Sequence, residues 1–303
     1  MSTPQTSDKI EINLSLVTDL IAQQFPQWAH LPIRPIEKSG WDNKMFRLGQ
    51  TMTIRLPSAH YYAAQVPKEQ RWLPLLAPHL SFSISRPLAF GVPSSNYPWR
   101  WSVYQWIEGE NADILHDDKC LRQFAVDIAQ FLKQLHRIDV SGGPSAGEHN
   151  FYRGGSPSVY DSEARAAIVQ LRDLIDVAAV TVVWERAISS TWNKAPVWVH
   201  GDFSVGNILV KDNRLTAVID FGCMAVGDPA CDLVIAWTFL TDESRKIFKE
   251  HMQLDSGTWA RACGWALWKA LITIASLEDK NCPEAIKHMQ VVDAVIKEHV
   301  AGV

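Results

Sequence analysis

The stretch 200–222, HGDFSVGNILVKDNRLTAVIDFG, constrains the fold more than any other part of the chain. Its apolar runs read as two strands, and polar groups stand at their ends: His200, Asp202, Asn207, Asp220 and Gly222. Asn207 follows Asp202 by five residues and Asp220 follows it by 18. One reading is an ordinary hairpin with polar turn residues. The other is a chemical constellation, in which one carboxylate meets a reacting hydroxyl while an amide oxygen and a second carboxylate hold a hard cation such as Mg²⁺.

The bulk properties narrow the setting. At 303 residues the chain can bury a core as one large domain or as two modest ones. A composition of 47% hydrophobic and 20% charged residues is that of an ordinary globular protein. A net charge of −4 gives no general attraction to nucleic acid or to an anionic membrane, and neither is expected as a partner. Five cysteines without a CxxC pair indicate neither a disulfide framework nor a zinc site. The opening MSTPQTSDKIEINL does not read as a secretory signal, and no run of 18 apolar residues suggests a membrane span, so a cytoplasmic location is the default. His136 and His251 have no partners at metal spacing and read as ordinary surface or packed histidines.

Periodicity changes along the chain. Residues 12–25 repeat apolar positions at helical spacing, then KMFRLG and TMTIRLP alternate around Gly49-Gln50 as an antiparallel hairpin. Residues 63–77 are helical, with Pro67 and Pro74 confining a regular helix to the part between them. SFSISRPLAFG and RWSVYQWI read as further strands. From 119 to 138 the chain is strongly amphipathic, a Gly/Ser-rich loop follows, and a helix from about 160 to 175 opens on Ser158-x-x-Asp161 in capping-box spacing. Beyond the stretch 200–222 the remainder is mostly helical. The break near Glu108-Gly109-Glu110 reads as a hinge between a β-rich lobe, 1–108, and a helical lobe, 109–303.

The order His-Gly-Asp, Asn five residues on, an apolar strand and then Asp-Phe-Gly is the kinase pattern of a catalytic-loop Asp, a metal-holding Asn and a metal-holding Asp. It resembles the aminoglycoside phosphotransferase family, small-molecule kinases with a two-lobed, protein-kinase-like α+β fold. GDPACDL at 227–233 is similar to the family's Gly-Asp-Pro-x-x-Asp-Leu. The resemblance implies that Asp202 is catalytic, that Asn207 and Asp220 hold Mg²⁺, and that His200, Asp228 and Asp232 support the loop. Helix capping alone would also account for Asp228 and Asp232. A protein kinase fits less well, because GDPACDL follows Asp220 too closely to leave a peptide-docking segment.

The fold so implied needs a cation on an N-lobe strand and a carboxylate on the next helix. Arg55 and Glu69 stand there, with Arg where the family normally has Lys; a solvated strand residue is the other reading of Arg55. Ser39, in Ser39-Gly40-Trp41-Asp42-Asn43, is the candidate to cover the ATP phosphates. Gln105 and Ile107, in Tyr104-Gln105-Trp106-Ile107, are the candidates to meet adenine with backbone groups. For the acceptor, Asp242, Glu243 and Trp268 are candidates, while the helical spacing of Trp265 and Trp268 also suits a core. The expected activity is transfer of the γ-phosphate of ATP (or GTP), with Mg²⁺, to a hydroxyl of an aminoglycoside-like antibiotic or a metabolite. A nucleotide-binding pseudokinase acting as a regulatory module is the alternative. Oligomeric state is not legible.

Overall fold

The computed structural model describes residues 10–36 and 43–301. Ser39 therefore lies outside the described residues. The chain forms two compact units: the residues before Glu110 together with Ala217–Gly222, and Glu110–Thr216 with Cys223 onward. The first is built on an antiparallel sheet and the second is mainly helical, so the fold is α+β.

Among the described residues before Glu110 there are six strands: β1 Ile33–Pro35, β2 Asn43–Leu48, β3 Met52–Pro57, β4 Ser83–Ile84, β5 Pro87–Gly91 and β6 Trp101–Gln105. Five of them pair antiparallel in the order β1-β2-β3-β6-β5. The β2–β3 turn closes between Leu48 and Met52, with Gly49 at φ 58°. Val17, Leu20 and Ile21 of the Leu14–Gln24 helix, which Asn13 caps, pack on Phe46, Leu48, Ile54, Leu56 and Val103. Each such burial contributes roughly 1.5–3 kcal/mol.

Every residue of β3 is buried. Met52, Ile54 and Leu56 face that core, so the alternation of a strand puts Thr53 and Arg55 on the other side. Arg55, at 6% exposure, is not a solvated strand residue. The helix carrying Glu69 runs unbroken over Gln65–Leu76, longer than the two prolines suggest. Pro67 falls in its first turn, where N–H groups have no intrahelical partner, and Pro74 forfeits a single bond near its end.

The second unit adds β7 Glu110–Asn111, β8 Val197–Val199, β9 Ile208–Lys211 and β11 Ala225–Gly227, and β10 Arg214–Val218 starts in it and ends in the Ala217–Gly222 stretch of the first. β9 and β10 form a hairpin whose two-residue turn, Asp212-Asn213, has φ 52° and 60°, values that Asp and Asn tolerate. β8 pairs antiparallel with β11. The helix Asp118–Leu135 starts at an Asp117 cap and presents Leu121, Phe124, Ile128 and Leu132 inward. The predicted helix at 160–175 is shorter, Asp161–Gln170, and Ser158 does not cap it: a turn of 3₁₀ helix capped by Ser156 precedes it. The long Ser256–Ser276 helix is the hub, packing against Asp161–Gln170, Val177–Ser189, Pro229–Val234 and Pro283–Ala301. No helix among the described residues is long and apolar enough to cross a membrane.

Candidate active site

The first unit holds a buried charge cluster. Arg55 Nη1 donates to both Glu69 oxygens, at 3.0 and 3.1 Å, and its Nη2 meets Asp220 Oδ1 at 2.5 Å. Tyr104 donates its hydroxyl to Glu69 Oε2 at 2.8 Å. With its amide oxygen turned toward the guanidinium, buried Asn43 accepts from Nε at 3.0 Å and Nη2 at 2.8 Å. Burial opposes the Arg55 charge, but the carboxylates of Asp220 and Glu69 outweigh it and raise its pKa. Burial, then the charge of Glu69, lifts the Tyr104 phenol well above its ordinary value. Asp220 sits at φ 61°, a backbone state that is uncommon for a non-glycine and concentrated at functional sites.

At the end of β6, Gln105 gives its N–H to Arg86 and Trp106 gives its own to Thr51, at 2.8 Å each. Ile107 is the next residue, and among the described residues its N–H has no partner. A peptide N–H left open beyond a strand end suits an acceptor atom of a planar base.

The second unit holds the loop 200–207. Buried Asp232 accepts from the N–H groups of His200, at 2.6 Å, and Gly201, at 2.7 Å. Burial raises the Asp232 pKa, while the His200 charge and those two N–H donors pull it back. Gly201 is at φ 82°, and a Cβ there would stand 2.2 Å from the Cys223 carbonyl oxygen, so only glycine fits. His200 Nδ1 accepts from the Asp202 N–H at 3.2 Å. Asn207 Nδ2 donates to the Asp202 carbonyl and to its carboxylate Oδ2, both at 2.9 Å. The Asn207 amide oxygen keeps no hydrogen-bond partner among the described residues. Asn111 donates to Gly206 O at 2.6 Å and closes the loop from β7.

Asp228 does cap the Pro229–Val234 segment, accepting from Ala230 N–H at 3.1 Å, and it also pairs with Arg261 at 2.5 Å. Arg261 is 1% exposed. Sequence reasoning passed over it, although a lone cation inside TWARACGWALW was a signal. Asn43, Tyr104 and Asn111 were also missed, because each acts through a partner distant in sequence.

The acceptor candidates do not come together. Asp242 pairs with Lys297 at 2.7 Å and with Arg245 at 3.4 Å, and it lines a cavity of about 370 Å³ with Lys246, Lys249 and Glu298. Glu243 lies beside it in the first turn of the Asp242–Met252 helix. Trp268 is elsewhere, stacked on Tyr160 at 3.9 Å with its Nε1 donating to Glu163 at 3.1 Å.

A family model described as the phosphotransferase enzyme family matches residues 32–265. An aminoglycoside 3'-phosphotransferase of Escherichia coli is 28% identical over 159 residues, which are 50% of this chain and 57% of that protein. A second from the same organism is 30% identical over 149 residues, 47% of this chain and 53% of its own. Alignment with these relatives thus takes in little more than half of their length. Among solved structures, the GDP complex of wild-type aminoglycoside 2'-phosphotransferase-IIIa superposes with a TM-score of 0.68 at 18% identity, covering 95% of this chain and 100% of that one. The macrolide 2'-phosphotransferase MphH from Brachybacterium faecium gives 0.60 at 21% identity, covering 93% and 98%. At such identities the structures establish a shared fold.

Proposed function

This chain belongs to the phosphotransferase enzyme family, and on that premise we propose that it transfers the γ-phosphate of ATP (or GTP) to a hydroxyl of a small molecule. The observation that carries the proposal is the loop 200–207: Asp202 is aimed by Asn207, and the backbone beneath it is held by Asp232. In this reading the segment 1–108 serves the nucleotide and 109–303 carries the catalytic loop and the acceptor.

Asp202 accepts a hydrogen bond from the acceptor hydroxyl, orients its oxygen and takes its proton as the new O–P bond forms and the bond from Pγ to the β–γ bridging oxygen breaks, releasing ADP (or GDP). Arg55, steadied by Glu69, holds the α/β-phosphates with the guanidinium edge that meets Asp220. Ile107 offers its N–H to the base, with Gln105 beside it and Ser39 over the phosphates. Asn207 and Asp220 would supply oxygens to Mg²⁺. The donor types fit, since a carboxylate and an unpaired amide oxygen are the hard ligands this cation favours. When bound, Mg²⁺ neutralises charge on the phosphates. A reaction that consumes ATP in this way is one for the cytoplasm.

Asp202→Ala should abolish transfer while Mg²⁺·ATP still binds; transfer persisting near the native rate would sink the assigned role. Asp220→Ala should lose Mg²⁺-dependent nucleotide binding, and unchanged affinity would remove it from the metal site. The pseudokinase reading draws on one fact, the engagement of Asp220 by Arg55. Acceptor-stimulated turnover of ATP would dismiss it.

A further inference from the structure

Beside the catalytic loop, the second unit carries a group of donors that the described chain leaves unused. Asn150 Nδ2 donates to the Arg153 carbonyl at 2.7 Å and to the Cys223 carbonyl at 3.1 Å. The Cys223 carbonyl is the one packed on Gly201. One buried amide therefore ties the backbone of Arg153 to the floor of the catalytic loop. The two residues before Arg153, Phe151 and Tyr152, both hold positive φ, 56° and 55°, a strain the loop sustains in placing Arg153.

The Arg153 guanidinium lies over two indoles, 4.8 Å from the Trp265 ring centre and 5.0 Å from that of Trp268. Stacking fixes the plane of the group and occupies none of its N–H donors. Among the described residues, that guanidinium has no hydrogen bond and no ion pair. Lys269, next along the same helix, is solvent-exposed, and its ammonium likewise has no partner among them. The protein around Lys269 and the charge of Arg153 lower its pKa, while Asp202 and Glu284 push it up, so its charge stands in the field of Asp202. Buried Trp265 Nε1 has no acceptor either. His288 is the remaining titratable neighbour, its pKa lowered by burial and by Lys269.

The unused groups are thus cations and N–H donors. Of the carboxylates nearby, Glu163 receives Trp268, Asp202 is engaged with Asn207, and Glu284 stands in the field of Lys269, while none of them meets the Arg153 guanidinium or the Lys269 ammonium in a hydrogen bond or ion pair among the described residues. A polycationic acceptor would bring its ammonium groups against two unpaired positive charges, an arrangement that binding sites select against. A planar or tetrahedral oxyanion matches the fork of Arg153 and the point charge of Lys269.

We infer that the acceptor carries an anionic group, a carboxylate or a phosphate, that docks on Arg153 and Lys269 over the Trp265–Trp268 platform while its hydroxyl meets Asp202. The inference rests on the phosphotransferase reading and goes beyond it by giving the acceptor a charge.

The test offers the whole chain and Mg²⁺·[γ-³²P]ATP a bacterial metabolite extract divided by ion exchange into anionic, cationic and neutral fractions. Labelled product should come from the anionic fraction. Pretreating that fraction with phosphatase separates the two sources, removing phosphate acceptors and sparing carboxylates. Arg153→Ala and Lys269→Glu should each raise the half-saturating amount of the fraction by about tenfold or more, the loss of one charge-assisted contact. Lys269→Arg should restore it. Because Lys269 is exposed, its variants keep the test open if Arg153→Ala fails to fold. Product from the cationic or neutral fraction alone overturns the inference, and so does product from the anionic fraction with half-saturation unmoved in both variants. If wild type hydrolyses ATP slowly yet labels nothing in any fraction, the inference also falls. A wild-type chain that neither hydrolyses ATP nor labels anything instead brings down the phosphotransferase reading, and this inference with it.

Discussion

Asp232 offers a graded perturbation of the catalytic loop. Its two oxygens receive the N–H groups of His200 and Gly201 at 2.6 and 2.7 Å, and both His200 and Asp232 are fully buried. Asp232→Ala leaves two donors without an acceptor and beyond reach of water. At about 1–3 kcal/mol for each unsatisfied donor, the loss should be about 2–6 kcal/mol, a large part of the stability of a typical domain. Asp232→Asn keeps the shape and one acceptor oxygen, so one donor faces an amide NH₂ and the loss should be about half, roughly 1–3 kcal/mol. Burial raises the Asp232 pKa, so the wild type draws most from this group below the unfolded value of 3.8 and loses that contribution as the pH rises through the folded one. Its margin over Asp232→Asn should therefore narrow as the pH rises above 3.8. Urea titrations of the three proteins at pH 5 and pH 8 measure both effects. In turnover, Asp232→Asn should lower kcat by roughly a hundredfold, because a displacement of about 1 Å at a reacting group has that cost. Equal losses for Ala and Asn, or losses below about 1 kcal/mol in both, would refute the idea that paired acceptance holds the loop.

Other perturbations read other parts of the molecule. His136 has a buried Nε2 without a partner, and burial pushes its pKa down from 6.5 to about 4. The unfolded chain therefore takes up a proton first, and up to about 3 kcal/mol of stability should vanish as the pH falls from 6.5 to 4; His136→Leu should flatten that limb in pH-dependent melting. Arg261→Met strands the carboxylate of Asp228 in a buried site and should cost about 3–5 kcal/mol, whereas adding Asp228→Asn should recover much of it in denaturant titrations, since the asparagine still caps Ala230. Arg55→Lys keeps the charge but cannot bridge Glu69, Asp220 and Asn43 together, and steady-state kinetics should show the KM for ATP rising about tenfold. An unchanged KM would make the fork irrelevant to nucleotide binding.

The features legible in the sequence had a local cause. The strand–turn–strand pattern of 208–218 and the polar groups flanking it are set by neighbours a few residues apart, and so is the alternation that sends Arg55 to one face of β3. The 3.6 period at 118–135 and its Asp117 cap are local in the same sense. The prolines at 67 and 74 misled because their cost depends on position within a helix, and that position is fixed by packing. Ser158 misled because Ser156, two residues earlier, takes the cap. Asp242 and Glu243 suggested an acceptor site, but the Pro283–Ala301 helix brings Lys297 to Asp242. Arg261 with Asp228 and Arg153 with Trp265 are tertiary pairings, and nothing in the residues around either partner announces the other.

Two arginines of this chain show how the same side chain does opposite work. Arg55 meets Glu69 and Asn43, which hold its guanidinium in place, while the edge that lies on Asp220 is the one the phosphates would take. That is preorganisation: the entropy of ordering the group is lost on folding and not on binding. Arg153 is ordered too, but by ring faces that take no hydrogen bond, so its orientation is fixed while its donors stay unmatched. A charge so placed gains nothing for the folded chain that a methionine would not also give, apart from the ring contacts. Its electrostatic value is realised only when an oxyanion comes within reach. The loop 200–207 and the Arg55 cluster fit any reaction that moves a phosphoryl group to a hydroxyl. On our inference the choice of hydroxyl then falls to cations beside the catalytic loop whose bonding is unfinished among the described residues, Arg153 and Lys269.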